Sequence, residues 1–315
     1  MTQQPHVPAP GVWVPAVTFF DPATDRLDLA AQKSYFKYLS TTGLTGLLIL
    51  GTNAEALLLT RDERFELIKA ARDAVGPSFP LMAGVSGHST RQVLEYCEDA
   101  KAAGANYVLA LPAAYFGKAT TPGVVQRFFD DVATGSPLPV LIYNFPAVCN
   151  GVDLDSSAIA AIAKKNSNIV GVKLTCGSVA KITRLADTFA PDQFAVFGGQ
   201  SDFLFAGLTV GSAGCIAAFA NVFPKSLARI YKLYKEGKLA EALELQRKAA
   251  HAEVPIKLGS AATKYAAAIY SAKAAGIEGA VEKLKPRRPY EGPSEAVMQS
   301  VRDTMAGLAE VEAAL

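Results

Sequence analysis

The chain has 315 residues, 50% of them hydrophobic, with 31 basic against 29 acidic side chains. The two signs are interspersed and no basic stripe stands out, which argues against nucleic acid or an anionic membrane as a partner. Four scattered cysteines with no CxxC pair argue against a disulfide framework or a zinc ribbon, and the isolated His6, His88 and His251 argue against a metal site.

Residues 1–11 are polar and proline-rich and read as a frayed arm. No basic-then-apolar leader is visible at this end, so a cytoplasmic location is expected. No apolar run is long enough to span a bilayer. From Val12 onward the pattern is strand, loop, helix, repeated. Apolar runs predict strands over 12–19, 46–50, 80–85, 106–111, 139–143, 169–174, 194–197 and 213–216. Apolar residues at helical spacing predict helices between them, over 29–39, 61–74, 90–103, 121–133, 156–164, 178–188 and 202–210. Thr60 ahead of Arg61-Asp62-Glu63 forms a capping box, and Asp155 or Ser156 caps the helix after the fifth strand.

Eight alternating units predict the α/β class, specifically a parallel (β/α)8 TIM barrel over 12–235. Helical spacing at 239–253, 259–275 and 293–314 adds a C-terminal helical extension over 236–315, whose Ala- and Leu-rich faces need burial. An open doubly wound sheet is the alternative, but it normally stops at fewer strands and carries a Gly-rich phosphate turn. Residues 84–90, GVSGHST, lack the lysine of such a turn and the spacing of a nucleophile elbow.

In a barrel of this kind, chemistry gathers at the carboxyl ends of the strands. The most informative stretch is 169–175, IVGVKLT. Alternation along a strand puts Gly171, Lys173 and Thr175 on one face, with Val170, Val172 and Leu174 on the other. A strand-end lysine usually reaches out to water. One turned into an aliphatic pocket is costly while charged, and an uncharged amine attacks ketones. Tyr143 ends the preceding strand, where a phenol beside the amine suits the proton transfers of imine formation. Gly51-Thr52-Asn53 lies where a strand turns into a helix, and its N–H groups and hydroxyl suit a carboxylate. Singly, a strand-end tyrosine is commonly packing and a Gly-Thr turn is commonly only a turn.

Together these residues resemble the dihydrodipicolinate synthase/N-acetylneuraminate lyase family of class I pyruvate aldolases. Four motifs from about Val14 to Ile216 carry the resemblance. Gly51-Thr52-Asn53-Ala54-Glu55 is similar to the family's Gly-Thr-Thr-Gly-Glu turn, Tyr143-Asn144-Phe145-Pro146 to its Tyr-Asn-x-Pro, and Gly171-Val172-Lys173 to its Gly-x-Lys. Gly211 to Ile216 resembles the glycine-rich end of its eighth strand. The resemblance implies that Lys173 forms an imine with the keto carbon of pyruvate and that Tyr143 is the general acid/base. It implies that Thr52 relays to Tyr143, that the Thr52-Asn53 backbone holds the carboxylate, and that the Ile216 carbonyl lines the pocket. It also implies that a tyrosine is lent across a subunit interface; Tyr115 is the expected residue, with Phe116 the alternative. The substrate-facing set is completed by Gly51, Thr175, Gly199, Ser201 and Asp202.

Departures from the pattern narrow the activity. Val148 stands where the synthase has the arginine that anchors its second substrate, with a one-residue insertion before Gly151. Asn53 resembles the 4-hydroxy-2-oxoglutarate and 2-keto-3-deoxy sugar acid aldolase branches. Ser201, Asp202 and Ala218 cater poorly for a nine-carbon sugar but suit a shorter polyol keto acid. The expected function is a lysine Schiff-base lyase that cleaves a 2-keto-3-deoxy or 4-hydroxy-2-oxo acid to pyruvate and an aldehyde. No metal or organic cofactor is implied, and a homotetramer is expected. Dihydrodipicolinate synthesis is the principal alternative, and a non-catalytic keto-acid-binding barrel is the second.

Overall fold

Eight short apolar strands organise the molecule, and the computed structural model describes them within residues 6–315. They are β1 (Gly11–Pro15), β2 (Gly46–Ile49), β3 (Leu81–Gly84), β4 (Tyr107–Ala110), β5 (Val140–Asn144), β6 (Ile169–Leu174), β7 (Ala195–Gly198) and β8 (Gly214–Ile216). All pair in parallel and in sequence order, and β8 closes on β1 with Gly11 opposite Gly214. The fold is therefore the expected (β/α)8 barrel. Helices α1 (Leu29–Leu39), α2 (Arg61–Val75), α3 (Thr90–Ala102), α4 (Pro122–Gly135), α5 (Ser156–Lys165), α6 (Val179–Thr188), α7 (Leu204–Thr209) and α8 (Pro224–Lys235) surround it. The extension follows as α9 (Leu239–Ala252), α10 (Ser260–Ala267), α11 (Ala280–Lys283) and α12 (Glu295–Ala314). Among the described residues no helix is long and apolar enough to cross a membrane.

Local chemistry sets the helix starts. The Thr60 hydroxyl accepts from the Glu63 N–H while the Glu63 carboxylate accepts from the Thr60 N–H, completing the capping box. Asp155 caps α5 through the Ala158 N–H, and Thr121 caps α4 with Pro122 at the first helical position.

Strand alternation divides the apolar residues into two cores. Trp13, Leu48, Met82, Leu109, Leu141 and Phe197 fill the lumen, while Val12, Leu47, Ile142 and Val172 pack outward against the helices. The helix-side core continues into Ala242, Ala249, Val301 and Met305 of the extension, so barrel and extension share one apolar interior.

Three local expectations change. The first strand ends at Pro15, not 19, because two buried side-chain amides take over the backbone partners beyond it. Asn221 accepts from the Val17 N–H and donates to the Pro15 carbonyl; Gln32 accepts from the Phe19 N–H and donates to the Val17 carbonyl. The frayed arm expected over 1–11 is, over 6–11, held against the barrel floor. There His6 Nδ1 lies 2.7 Å from the Tyr107 hydroxyl, the Trp13 indole donates to the Ala9 carbonyl, and Gly11 begins β1. Residues 1–5 of that expectation lie outside the described residues. The third change is a bulge in β6: Val140 pairs with Ile169 but Leu141 pairs with Gly171. The extra residue resets alternation, so Val170 points into the lumen and does not share the outer face with Val172 and Leu174.

Candidate active site

Beyond the bulge, β5 and β6 run in register and set Tyr143 opposite Lys173. Both are buried, at 4% and 3% exposure, and both face the lumen end where the strands terminate. Lys173 Nζ lies 4.4 Å from the centroid of the Tyr143 ring. No carboxylate pairs with this amine among the described residues, in contrast to the other buried lysines, Lys181 with Asp153 and Lys264 with Glu55. Unpaired burial is what a nucleophilic amine requires and what a structural lysine avoids.

The third component comes from the turn after β2. Leu50 holds a left-handed φ of 65°, and Thr52–Ala54 then form one 3-10 turn that ends at Glu55, also left-handed at φ 58°. Gly84 accommodates the strained turn, since a Cβ there would lie 2.0 Å from the Leu50 carbonyl oxygen. The turn carries the Thr52 hydroxyl to 3.5 Å from the Tyr143 hydroxyl. The Thr52 and Asn53 N–H groups open the 3-10 turn and have no backbone acceptor among the described residues, whereas Ala54 and Glu55 donate within it. Free N–H groups at such a turn suit a carboxylate. Glu55 anchors the turn from below through the buried Lys264 of α10 and the Arg287 N–H, and Ser260 donates to the Asn53 side chain at 3.1 Å.

The rim after β7 differs from expectation. Ser201 is fully buried and donates its hydroxyl to Glu253, so it is turned into the molecule. Asp202 pairs with Lys257 at 3.0 Å, and Lys257 also holds Glu253 at 2.9 Å. Burial pushes the Glu253 carboxyl above its ordinary value, Asp202 adds to this, and Lys257 and Ser201 oppose it. Gly199 has a packing reason: a Cβ there would meet Thr175 Oγ1 at 2.0 Å and Thr175 Cα at 2.5 Å. Thr175 therefore faces Gly199, with its hydroxyl buried and unpartnered. Ile216 is buried on β8 among the lumen residues. Tyr115 is 70% exposed, against the His88 and Phe116 rings at 5.4 and 5.2 Å, and one chain alone does not bring it to Tyr143.

A cavity of about 470 Å³ opens at the barrel mouth. Gly51, Thr52 and Tyr143 line it; Lys173, packed against the Tyr143 ring, is not itself in the lining, nor are Asn53, Thr175, Gly199, Ser201, Asp202 and Ile216. Ser86, Val148, Ser260 and Tyr290 also line it, and sequence reasoning did not assign the two serines or Tyr290 to the site. Ser86 follows β3 and was readable as a strand-end residue; Ser260 and Tyr290 come from the extension, more than a hundred residues from Tyr143, and carry no local signal.

Comparison with known proteins places this geometry. The model of the dihydrodipicolinate synthetase family matches residues 9–307. A protein of Coccidioides immitis (strain RS), provisionally named 4-hydroxy-2-oxoglutarate aldolase, mitochondrial, is 69% identical, covering 99% of each chain. The L-threo-3-deoxy-hexylosonate aldolase of Hypocrea jecorina is 34% identical over 99% of each chain. Among solved structures, a family protein from Coccidioides immitis superposes with a TM-score of 0.93 at 66% identity, covering 99% of this chain and 100% of that one. YagE of Escherichia coli K12, crystallised with pyruvate, superposes at 0.84 with 27% identity, covering 95% and 98%.

The names of two relatives correct the cytoplasmic expectation. Both the Coccidioides protein and a 38% identical one from Emericella nidulans are named as mitochondrial. Mitochondrial targeting relies on amphipathic, Arg-rich segments and not on a basic-then-apolar leader, so the lack of such a leader says nothing against it. With a family match over residues 9–307, a collinear relative at 69% identity and the Lys173–Tyr143–Thr52 constellation in its barrel mouth, the chain belongs to the dihydrodipicolinate synthetase family.

Proposed function

We propose that this keto-acid aldolase works through an imine on Lys173, cleaving a 2-keto-3-deoxy or 4-hydroxy-2-oxo acid to pyruvate and an aldehyde. The observation that carries the proposal is the buried, carboxylate-free Lys173 amine set against the Tyr143 ring, with Thr52 beside the phenol.

The substrate carboxylate sits on the Thr52 and Asn53 N–H groups, which places its keto carbon toward the barrel axis. The Lys173 amine adds to that carbon. Tyr143 delivers the proton that lets the carbinolamine lose water as the imine forms. The iminium then draws electrons from the C3–C4 bond while Tyr143 takes the proton of the C4 hydroxyl, so that the bond breaks to an aldehyde and an enamine. Protonation of the enamine at C3 and hydrolysis return pyruvate and the free lysine. Thr52, 3.5 Å from the phenol, orients it and relays its proton.

The relatives named for 4-hydroxy-2-oxoglutarate and deoxy-hexylosonate cleavage, and the pyruvate bound by YagE, support the lyase direction. Val148 at the cavity, in place of a cationic anchor, weighs against dihydrodipicolinate synthesis. The chain assembles as a homotetramer in this reading: the exposed Tyr115 and Phe116, at 70% and 77%, form an aromatic patch that a lone chain leaves in water.

The test is borohydride reduction in the presence of pyruvate, followed by intact-mass and peptide mapping. One reduced pyruvate on Lys173, absent from Lys173→Ala, is expected, together with loss of pyruvate release in that variant. No adduct at saturating pyruvate makes the chain a non-catalytic barrel.

A further inference from the structure

We infer that the aldehyde half of the substrate is uncharged at its far end, so that keto-deoxy acids ending in hydroxyls are cleaved in preference to dicarboxylic ones. The inference deepens the aldolase reading above and rests on it.

It follows from what the cavity offers beyond Tyr143. Among the described residues no lysine, arginine or histidine lines the cavity. Its walls are aliphatic, from Leu57, Leu111, Val148 and Leu258 among others, and hydroxyl groups of Ser86, Ser260 and Tyr290 interrupt them. Two carboxylates also border it. Glu55 is already taken by Lys264 and the Arg287 N–H, and Glu291 adds negative charge at the outer end.

Two nearby cations, Lys257 and Arg287, are committed elsewhere. Lys257 is shared by Asp202, Glu253 and Gln200. The Arg287 guanidinium makes two hydrogen bonds to Glu63, at 2.6 and 2.7 Å, and also faces Asp25. The substrate's first carboxylate uses the Thr52 and Asn53 N–H groups. A second one would lose water in this cavity, find no cation and face Glu291. A chain of hydroxyls meets the opposite situation. Each can give and take hydrogen bonds with the serine and tyrosine hydroxyls while its carbons rest on leucine and valine.

The experiment compares kcat/KM of the 315-residue chain for 4-hydroxy-2-oxoglutarate and for a 2-keto-3-deoxy hexonate, by pyruvate release. The hydroxyl-ended acid is expected to be favoured by about 10²-fold or more, the scale of leaving a buried charge unpaired. Val148 is 44% exposed, so Val148→Arg adds a cation to the cavity wall without disturbing a core. That variant is expected to narrow the preference about tenfold, by raising the rate on the dicarboxylate. Equal or better cleavage of the dicarboxylate by the wild type overturns the inference, and this ratio decides even should the variant fail to fold. Borohydride trapping with pyruvate separates the two readings. A Lys173 adduct with a dicarboxylate preference overturns only the inference, while absence of an adduct removes the aldolase reading and the inference with it.

Discussion

At the scale of single residues, Lys173 is defined by what does not touch it. Lys181 and Lys264 are comparably buried, yet each has a carboxylate partner that makes its charge tolerable. Lys173 has a phenol ring in that place. In the proposed mechanism Tyr143 therefore has two separable jobs, packing against the amine and moving protons. Tyr143→Phe keeps the ring and removes only the hydroxyl. Imine formation, timed by borohydride quenching at intervals after mixing with pyruvate, is expected to slow about 10²- to 10⁴-fold with the fold intact. A near-normal rate would leave Tyr143 as packing alone and pass the proton transfers to another group. Ser201 and Asp202 on the β7 rim are polar side chains at a strand end, the pattern expected of substrate contacts. Glu253, which takes the Ser201 hydroxyl into the molecule, and Lys257, which pairs with one Asp202 oxygen, lie some fifty positions downstream, so no local signal marked these contacts.

At the scale of elements, the barrel was legible because its signals are local. Apolar runs marked the strands, the Thr60 capping box is present as expected, and of the two candidate caps, Asp155 and Ser156, the structure selects Asp155. The β6 bulge was not legible, since one extra aliphatic residue in IVGVKL leaves the hydropathy of the run unchanged. Its consequence is functional. Without the reset at Val170, unbroken alternation with the lumen-facing Val170 would turn Lys173 outward among the helices. Gly171, beside the bulge, lets β5 and β7 approach closely: a Cβ there would lie 2.6 Å from the Ala195 carbonyl oxygen and 3.3 Å from Leu141. Backbone oxygen cannot swing away as a side chain can. Gly171→Ala is therefore expected to lower stability by about 1–3 kcal/mol, the scale of overpacking, and to reduce pyruvate trapping at Lys173. Urea unfolding measures the first and adduct yield the second. Unchanged values for both would mean that β6 and β7 accept the methyl group without shifting.

At the scale of the whole molecule, the extension acts as a strap across the barrel mouth. Lys264 of α10 reaches Glu55 at the base of the Thr52 turn, and Arg287 joins Glu63 of α2 and Asp25 of the β1–α1 loop. The strap thus fixes the catalytic turn from a segment more than two hundred residues away, which gives it a distinct pH signature. Burial pushes the Glu63 carboxyl up, but the Arg287 guanidinium and the Thr60 N–H outweigh it and hold it below its ordinary 4.5. A carboxyl with a depressed folded pKa adds stability above its unfolded pKa. That stability is lost as pH falls from about 4.5 through the lower folded value. Arg287→Met removes the guanidinium and leaves the Thr60 contact. At pH 7 the variant is expected to lose about 1–3 kcal/mol, the scale of hydrogen bonds to a charged partner. Below the folded pKa of Glu63 the wild type has lost that interaction and keeps the guanidinium bonds to the Leu58 and Asp25 carbonyls, so the gap between the two unfolding midpoints should narrow as the solution is acidified. Parallel midpoint curves from pH 7 down to pH 3 would show that Glu63 is not the partner through which Arg287 holds the strap.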